Sequence, residues 1–318
     1  MTKHLISVII PAYNHAMYVG STINSIMAQD YANIELIIID DGSKDNTLEV
    51  IESMRAGCEK RFSRFYVETQ QNQGTCATLN RLISHAQGEY VLLIASDDEL
   101  LPGAISAMVK KMEANPEAGL VVGRNTIMDG DGRTCYWDEA RNNVYDPARA
   151  KYLTFSDFLD SNTFPTTHPR WGTYEALIQC NHIPNGYLMR KSILNLLPPF
   201  TKDAPLEDWW LMLQISKHSK IISICEETFR YRWHAANTIK QKEKMRDYGE
   251  RTINWEKEYI SKLPDKTWEK IYVGALRWSK FKRFLFQKKL TCSGRFIIKI
   301  MRIPVFISFS KKRQANLD

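Results

Sequence analysis

Two apolar runs in this chain each lead into a pair of adjacent aspartates. Ile37-Ile38-Ile39 runs into Asp40-Asp41-Gly42-Ser43, and Val91-Leu92-Leu93-Ile94-Ala95 runs through Ser96 into Asp97-Asp98. Carboxylates at a strand end can hold Mg²⁺ or Mn²⁺ through one or two oxygens and leave the remaining positions to a diphosphate. Acids alone would repel phosphate, so a cation is what makes the pairing physically sensible. A carboxylate of the first pair can also accept the N3–H of a pyrimidine base. The bland alternative for both is a strand-to-helix turn whose acids fill the turn and cap the helix. Finding two pairs at equivalent strand ends favours the functional reading. A third acidic pair, Glu207-Asp208, stands before Trp209-Trp210. At a helix N-terminus it would stay ionised, as a proton acceptor must, but with lowered basicity; dipole complementation alone would also explain it. One tryptophan could stack on a sugar face, while at least one belongs in the core.

The elements that must place these acids alternate between strand and helix. The expected strands are Leu5–Pro11, Ile34–Ile39, Phe65–Thr69, Tyr90–Ala95 and Leu120–Gly123, and the expected helices Tyr18–Gln29, Lys44–Arg55, Thr75–His85 and Gly103–Ala114. Such alternation implies a parallel sheet with helices on both faces, and ligands bind outside the carboxyl ends of such strands. Ser43 is placed to cap its helix and Pro102 to open the next. From 124 to 180 the rhythm is lost: Met128–Gly132 reads as a tight turn and Asn162–Gly172 as a polar loop. A strand over His182–Arg190, a helix over Glu207–His218 and a strand pair near Ile221–Ile224 and Phe229–Trp233 follow. After Ala235 the chain turns helical and basic.

Bulk properties bound the partners. The 318 residues are 44% hydrophobic and 25% charged, as in an ordinary globular protein. Six dispersed cysteines contain no Cys-x-x-Cys pair, which argues against a zinc site or disulfide framework and fits a reducing compartment. The run Leu5–Ile10 is too short for a signal-peptide core, and no apolar stretch reaches the roughly 20 residues of a membrane span. The net charge of +7 is uneven: Arg277–Arg313 holds twelve Lys/Arg and no acid, leaving −5 for the rest (+7 less the tail's +12). An acidic body disfavours nucleic acid as a partner. Trp278, Phe281, Phe284 and Leu285 recur at helical spacing among lysines and arginines. That suggests an anionic membrane surface met through 278–313, with a stripe packed on the protein as the alternative.

These motifs together resemble a family 2 glycosyltransferase of the GT-A fold, over roughly residues 5–238. The resemblance is carried by Ser7-Val8-Ile9-Ile10-Pro11-Ala12-Tyr13-Asn14, Glu35–Ile39 with Asp40-Asp41-Gly42-Ser43, Asn72-Gln73-Gly74, Gly88-Glu89-Tyr90 with Ser96-Asp97-Asp98, and Glu207-Asp208-Trp209. Ser96-Asp97-Asp98 departs from the Asp-x-Asp of many relatives. The resemblance implies a mainly parallel α/β sheet flanked by helices, with a catalytic domain over 1–238 (a nucleotide-sugar half at 1–123, an acceptor half at 124–238) and a helical basic region at 239–318. Pro11, Ala12, Asn14, Asp41 and Asp97 would bind the nucleotide, Asp98 and His234 would hold Mn²⁺ or Mg²⁺, and Asp208 would be the catalytic base. Glu207, Trp209 and His182 would face the acceptor. It further implies inverting transfer from a UDP- or dTDP-sugar to a hydroxyl of a lipid-linked saccharide, in O-antigen or capsule assembly on the cytoplasmic face of the membrane. A processive synthase would carry membrane spans. From a different class, a non-catalytic sugar-nucleotide or polysaccharide-binding module is the alternative, and intact Asp41, Asp98 and Asp208 weigh against it.

Overall fold

The computed structural model describes residues 4–161 and 164–276. Four short strands, β1 (Ile6–Ala12), β2 (Ile34–Asp40), β3 (Arg64–Thr69) and β4 (Tyr90–Leu93), pair in parallel in the order β3-β2-β1-β4. Every residue of β2 is buried, as a strand covered on both faces must be. Helices supply the covering. Val19, Ile23 and Ile26 of the helix Val19–Met27 and Ile105, Met108 and Met112 of the helix Ala104–Glu113 bury their apolar stripes in the same core as Ile6, Val8 and Ile38.

Beyond β4 the sheet becomes mixed. β5 is Glu99–Leu100, β6 Ala118–Asp129, β7 Thr134–Trp137, β8 Asn143–Val144, β9 Tyr187–Arg190 and β10 Lys220–Trp233. β9 lies antiparallel between β4 and β6, β10 runs parallel to β6, and β5 closes that edge antiparallel to β10. The ends of β1, β2 and β4 therefore open on one side of the molecule. The fold is the mixed, mainly parallel α/β sheet flanked by helices that the sequence implies.

Several local expectations change. The anticipated strand pair near 221–233 is one strand: Cys225-Glu226-Glu227 holds no turn-forming residue, and the chain absorbs the extra length as register shifts between Ser223 and Phe229. Ser43 does not cap a helix. The helix starts at Thr47, where Asp45 Oδ1 accepts the Thr47 N–H at 3.1 Å, and it gives way to a second helix over Arg55–Arg61. Pro102 stays outside its helix, which begins at Ala104 after a left-handed Gly103 (φ 76°). The expected strand from His182 begins only at Tyr187, because Pro184 has no N–H to pair and Gly186 adopts φ 75°.

The helix Lys242–Lys262 is bound to the sheet domain by a buried ionic cluster. Glu256, fully buried, accepts from Tyr174 Oη at 2.6 Å, Gln214 Nε2 at 2.7 Å and Lys217 Nζ at 2.8 Å. Thr252 Oγ1 accepts the Leu206 N–H at 3.1 Å from the same helix. One compact unit runs from Met1 to Ala275, so the division expected at residue 238 falls inside it. No helix among the described residues is long and apolar enough to cross a membrane. The basic stretch 278–313 lies outside the described residues.

Candidate active site

The loop after β1 is stitched to the ends of β2 and β4. Asn14 takes a left-handed conformation (φ 52°), which asparagine tolerates. Its N–H donates to Ser43 Oγ at 2.9 Å and its Oδ1 accepts the Lys44 N–H at 2.7 Å. The next residue, His15, donates its N–H to Thr47 Oγ1 at 2.8 Å, and its Nδ1 lies 2.7 Å from Ser96 Oγ. Ala12 is buried at the strand end, Pro11 is half-buried and Asn14 is exposed.

The first acidic pair serves this scaffold directly. Asp40 accepts from Thr69 Oγ1 at 3.0 Å and from the Ser43 N–H at 3.2 Å. Asp41 Oδ1 accepts the Gln73 N–H and Gln70 Nε2, both at 2.8 Å, and its Oδ2 accepts the Gly74 N–H at 2.9 Å. Between them Gly42 (φ 71°) passes so close to Gln70 O and Asn72 N that a Cβ would sit 2.9 Å from each. Asp41 thus fixes the 70–74 loop. Of its oxygens, Oδ2 has the freer lone pair for a ligand N–H.

The second pair divides its labour differently from expectation. Asp97 Oδ2 lies 2.9 Å from His234 Nε2 and 3.9 Å from His15 Nε2. Donor atoms of His15, Asp97 and His234 fall within 4.8 Å of one another. Two imidazole nitrogens and a carboxylate oxygen are a fitting set for a divalent transition cation such as Mn²⁺. Burial lowers the His15 pKa, keeping the ring neutral, as a ligand must be. Asp98, paired with His234 in the sequence reading, points into the protein and accepts the Arg232 N–H at 2.8 Å. Burial and then the Asp97 charge push its pKa well above the ordinary range. The carboxylate facing His234 is therefore that of Asp97.

Arg232 and Asn237 hold this cluster. Arg232, 3% exposed, donates Nε to Asp97 O at 2.6 Å and Nη2 to Glu99 at 2.7 Å and Ser21 Oγ at 3.0 Å. Asn237 accepts the His234 N–H at 2.6 Å and donates to Arg232 O at 3.1 Å, closing the turn that presents the histidine. His15 and Asn237 were legible as polar residues beside Asn14 and His234. Arg232 was not, because a basic residue in a strand reads as surface.

Glu207 and Asp208 open the helix Glu207–Ile215. Asp208 Oδ2 accepts Asn181 Nδ2 at 3.0 Å, and Oδ1 accepts the Trp209 N–H at 2.6 Å. The pKa of Asp208 is raised by burial, which outweighs the hydrogen bonds and the helix N-terminus that the sequence reading expected to lower it. Burial and then Asp208 push Glu207 up to about 8. Burial, and then the charges of Asp98, Asp97 and Asp208, raise the pKa of the Tyr231 hydroxyl.

The residues expected to face an acceptor separate. His182 is 1% exposed: Nδ1 donates to Cys180 O at 3.1 Å, Nε2 accepts the Gly172 N–H at 3.2 Å, and burial lowers its pKa to about 4. Both nitrogens are used internally, so it offers nothing to an acceptor. Trp209 is half-buried with its Nε1 on Leu177 O at 2.6 Å. Trp210 is core, tilted against Phe200 at 4.6 Å.

The family model for "Glycosyl transferase family 2" matches residues 7–174. A Haemophilus influenzae protein described as an uncharacterized glycosyltransferase is 31% identical over 164 residues, 52% of this chain and 60% of that protein. The GalNAc(5)-diNAcBac-PP-undecaprenol beta-1,3-glucosyltransferase of Campylobacter jejuni is 32% identical over 127 residues, 40% of each chain. The chain thus spans three fifths or less of both relatives. Among solved structures, Staphylococcus aureus TarS 1–349 with UDP-GlcNAc superposes with a TM-score of 0.53 at 17% identity, covering 74% of this chain and 60% of that one. The mannosyltransferase PcManGT of Pyrobaculum calidifontis with GDP-Man and Mn²⁺ gives 0.55 at 17%, covering 88% and 76%. These two show a shared fold.

Proposed function

This chain belongs to glycosyl transferase family 2, and from that premise we propose that it transfers a sugar from a UDP- or dTDP-sugar to a hydroxyl of a lipid-linked saccharide, with inversion. The observation that carries the reading is the cluster of His15, Asp97 and His234, whose ligand atoms lie within 4.8 Å of one another. His15, Asp97 and His234 would hold a divalent cation, and such an ion supplies charge neutralisation for a departing diphosphate. UDP-GlcNAc on TarS supports a uridine-nucleotide donor, and Mn²⁺ with GDP-Man on PcManGT supports a cation beside a nucleotide sugar.

Asp208 is the base in this scheme. Its raised pKa gives it more proton affinity than a solvated aspartate, which suits removal of a hydroxyl proton. Asn181 holds one oxygen and the Trp209 N–H the other, fixing the carboxylate plane for an incoming O–H. Glu207, with a pKa of about 8, carries the proton of the pair near neutral pH and can donate a hydrogen bond to an acceptor oxygen. Asp41 and the 70–74 loop it holds would read the base. A lipid-linked acceptor is supported by the undecaprenol-linked saccharide of the Campylobacter relative and by the basic stretch 278–313. O-antigen or capsule assembly at the inner membrane face extends the same proposal.

The test is thermal stabilisation of the full chain by a panel of UDP-, dTDP- and GDP-sugars with and without Mn²⁺, since a ligand of the folded state raises the Tm. A metal-dependent shift with a UDP- or dTDP-sugar is expected. A shift with GDP-sugars alone overturns the base assignment, and no shift with any of them overturns the donor class.

A further inference from the structure

A cavity of about 530 Å³ lies along the helix Lys242–Lys262 and takes no part in the reaction above. Its wall carries Trp255 and Tyr259, one helical turn apart, with ring centroids 4.9 Å apart and planes within 9° of parallel. The stack is braced from within: Trp255 packs on buried Trp210 at 5.9 Å, and Lys217 Nζ sits 4.8 Å from the centre of the Tyr259 ring. Both rings nevertheless keep part of their surface in solvent. Trp255 Nε1, Tyr259 Oη and the Asn254 amide have no hydrogen-bond partner among the described residues.

The chemistry of that lining selects a ligand class. Asp203 and Glu258 balance Arg251 and Lys262, so the cavity has no net charge with which to hold a phosphate or a nucleic acid. It offers instead an aromatic surface bordered by planar acceptors and donors. A pyranose presents a face of C–H groups, which the negative face of an aromatic ring attracts, and a rim of hydroxyls for amides and carboxylates. Asp203 lies on the segment that leads into Glu207-Asp208. That segment is pinned to the same helix by Arg251 Nη2 on Lys202 O at 2.6 Å and by Leu206 N–H on Thr252 Oγ1 at 3.1 Å.

We propose that this cavity is a saccharide-binding subsite that takes an uncharged sugar unit of the acceptor, away from the hydroxyl at Asp208. Its assignment to the acceptor rests on the transferase reading, but its affinity for sugar does not. The test is saturation-transfer NMR and tryptophan fluorescence titration of the full chain, without nucleotide, against pentasaccharides of N-acetylglucosamine, glucose and galactose. Saturable binding of at least one is expected, weakened roughly tenfold by Trp255→Ala and by Asn254→Ala, on the scale of one lost aromatic or polar contact. Asn254 makes no side-chain hydrogen bond among the described residues, so its variant keeps the readout if Trp255→Ala disturbs the Trp210 contact. Wild-type protein that binds none of the three, or Asn254→Ala binding as tightly as wild type, overturns the proposal. So does loss of sugar binding in Asp208→Asn, which would put the sugar in the catalytic cleft. Sugar binding that persists while no nucleotide sugar stabilises the protein would sink the transferase reading alone.

Discussion

Glu207 and Asp208 share a helix start and divide one proton. With the Glu207 pKa pushed up to about 8, Glu207→Gln mimics its protonated form, and transfer is expected to fall by less than about tenfold. Asp208→Asn removes the base, and a loss on the order of 10²–10⁴ is expected with metal-dependent nucleotide binding intact; equal losses in both variants would refute the division of roles. The acid limb of kcat/KM against pH should lie above the ordinary aspartate range, because the Asp208 pKa is raised. In the cation cluster the comparison is between neighbours. Asp97→Asn should weaken Mn²⁺-dependent nucleotide binding, whereas Asp98→Asn should show first as a lower Tm, because Asp98 accepts the Arg232 N–H inside the protein. Calorimetric titration of both variants with Mn²⁺ and UDP decides it, and a Tm effect in Asp97→Asn alone would reverse the assignment.

At the scale of elements, two devices place these side chains. The first is the convergence of the β1, β2 and β4 ends, joined through Asn14, His15 and Ser96. The second is the ionic cluster that pins the helix Lys242–Lys262 to the helix carrying Asp208. Glu256 has no exposed surface and Lys217 is 3% exposed, so removing one partner strands a buried charge. Lys217→Met is expected to cost about 3–5 kcal/mol, and adding Glu256→Leu should recover part of it. Denaturant unfolding of the single and double variants measures both. A neutral Lys217→Met would mean that the helix is held by its apolar face alone. We propose that the catalytic unit includes this helix and extends to near residue 275.

For the molecule as a whole, pH works on stability from both sides. Glu207 has a folded pKa above its unfolded value, so its contribution is complete below about 4.5 and is lost as pH rises through about 8. His182 has a folded pKa depressed to about 4, so its contribution is present above 6.5 and is lost as pH falls through 4. Melting curves should show Glu207→Gln flattening the alkaline decline and leaving the acid side unchanged; an unchanged alkaline decline would show that Glu207 is not its source. Truncation before Trp278 is expected to release the protein from anionic liposomes, each lost cation removing about 1 kcal/mol of attraction. Sedimentation with vesicles reads that directly, and undiminished binding would place the membrane contact elsewhere.

The strand–helix alternation through 123, the acid pairs and the helix start at Glu207 were legible in the sequence; the short strand Glu99–Leu100 and the separate helix Arg55–Arg61 were not. Period-2 and period-3.6 burial and turn chemistry are local, and local chemistry is written in neighbouring residues. The sequence also singled out His234 as a candidate cation ligand and Asp208 as a candidate base. It could not say which of two adjacent carboxylates faces that histidine. Successive side chains diverge, and only the path of β10, delivering Arg232 N–H to Asp98 and His234 to Asp97, separates them. It could not see that His182 is spent inside a loop, that Arg232 is an interior brace, or that burial would raise rather than lower the Asp208 pKa. Desolvation and hydrogen-bond saturation depend on what the rest of the chain packs around a group, and those neighbours come from segments far away in sequence.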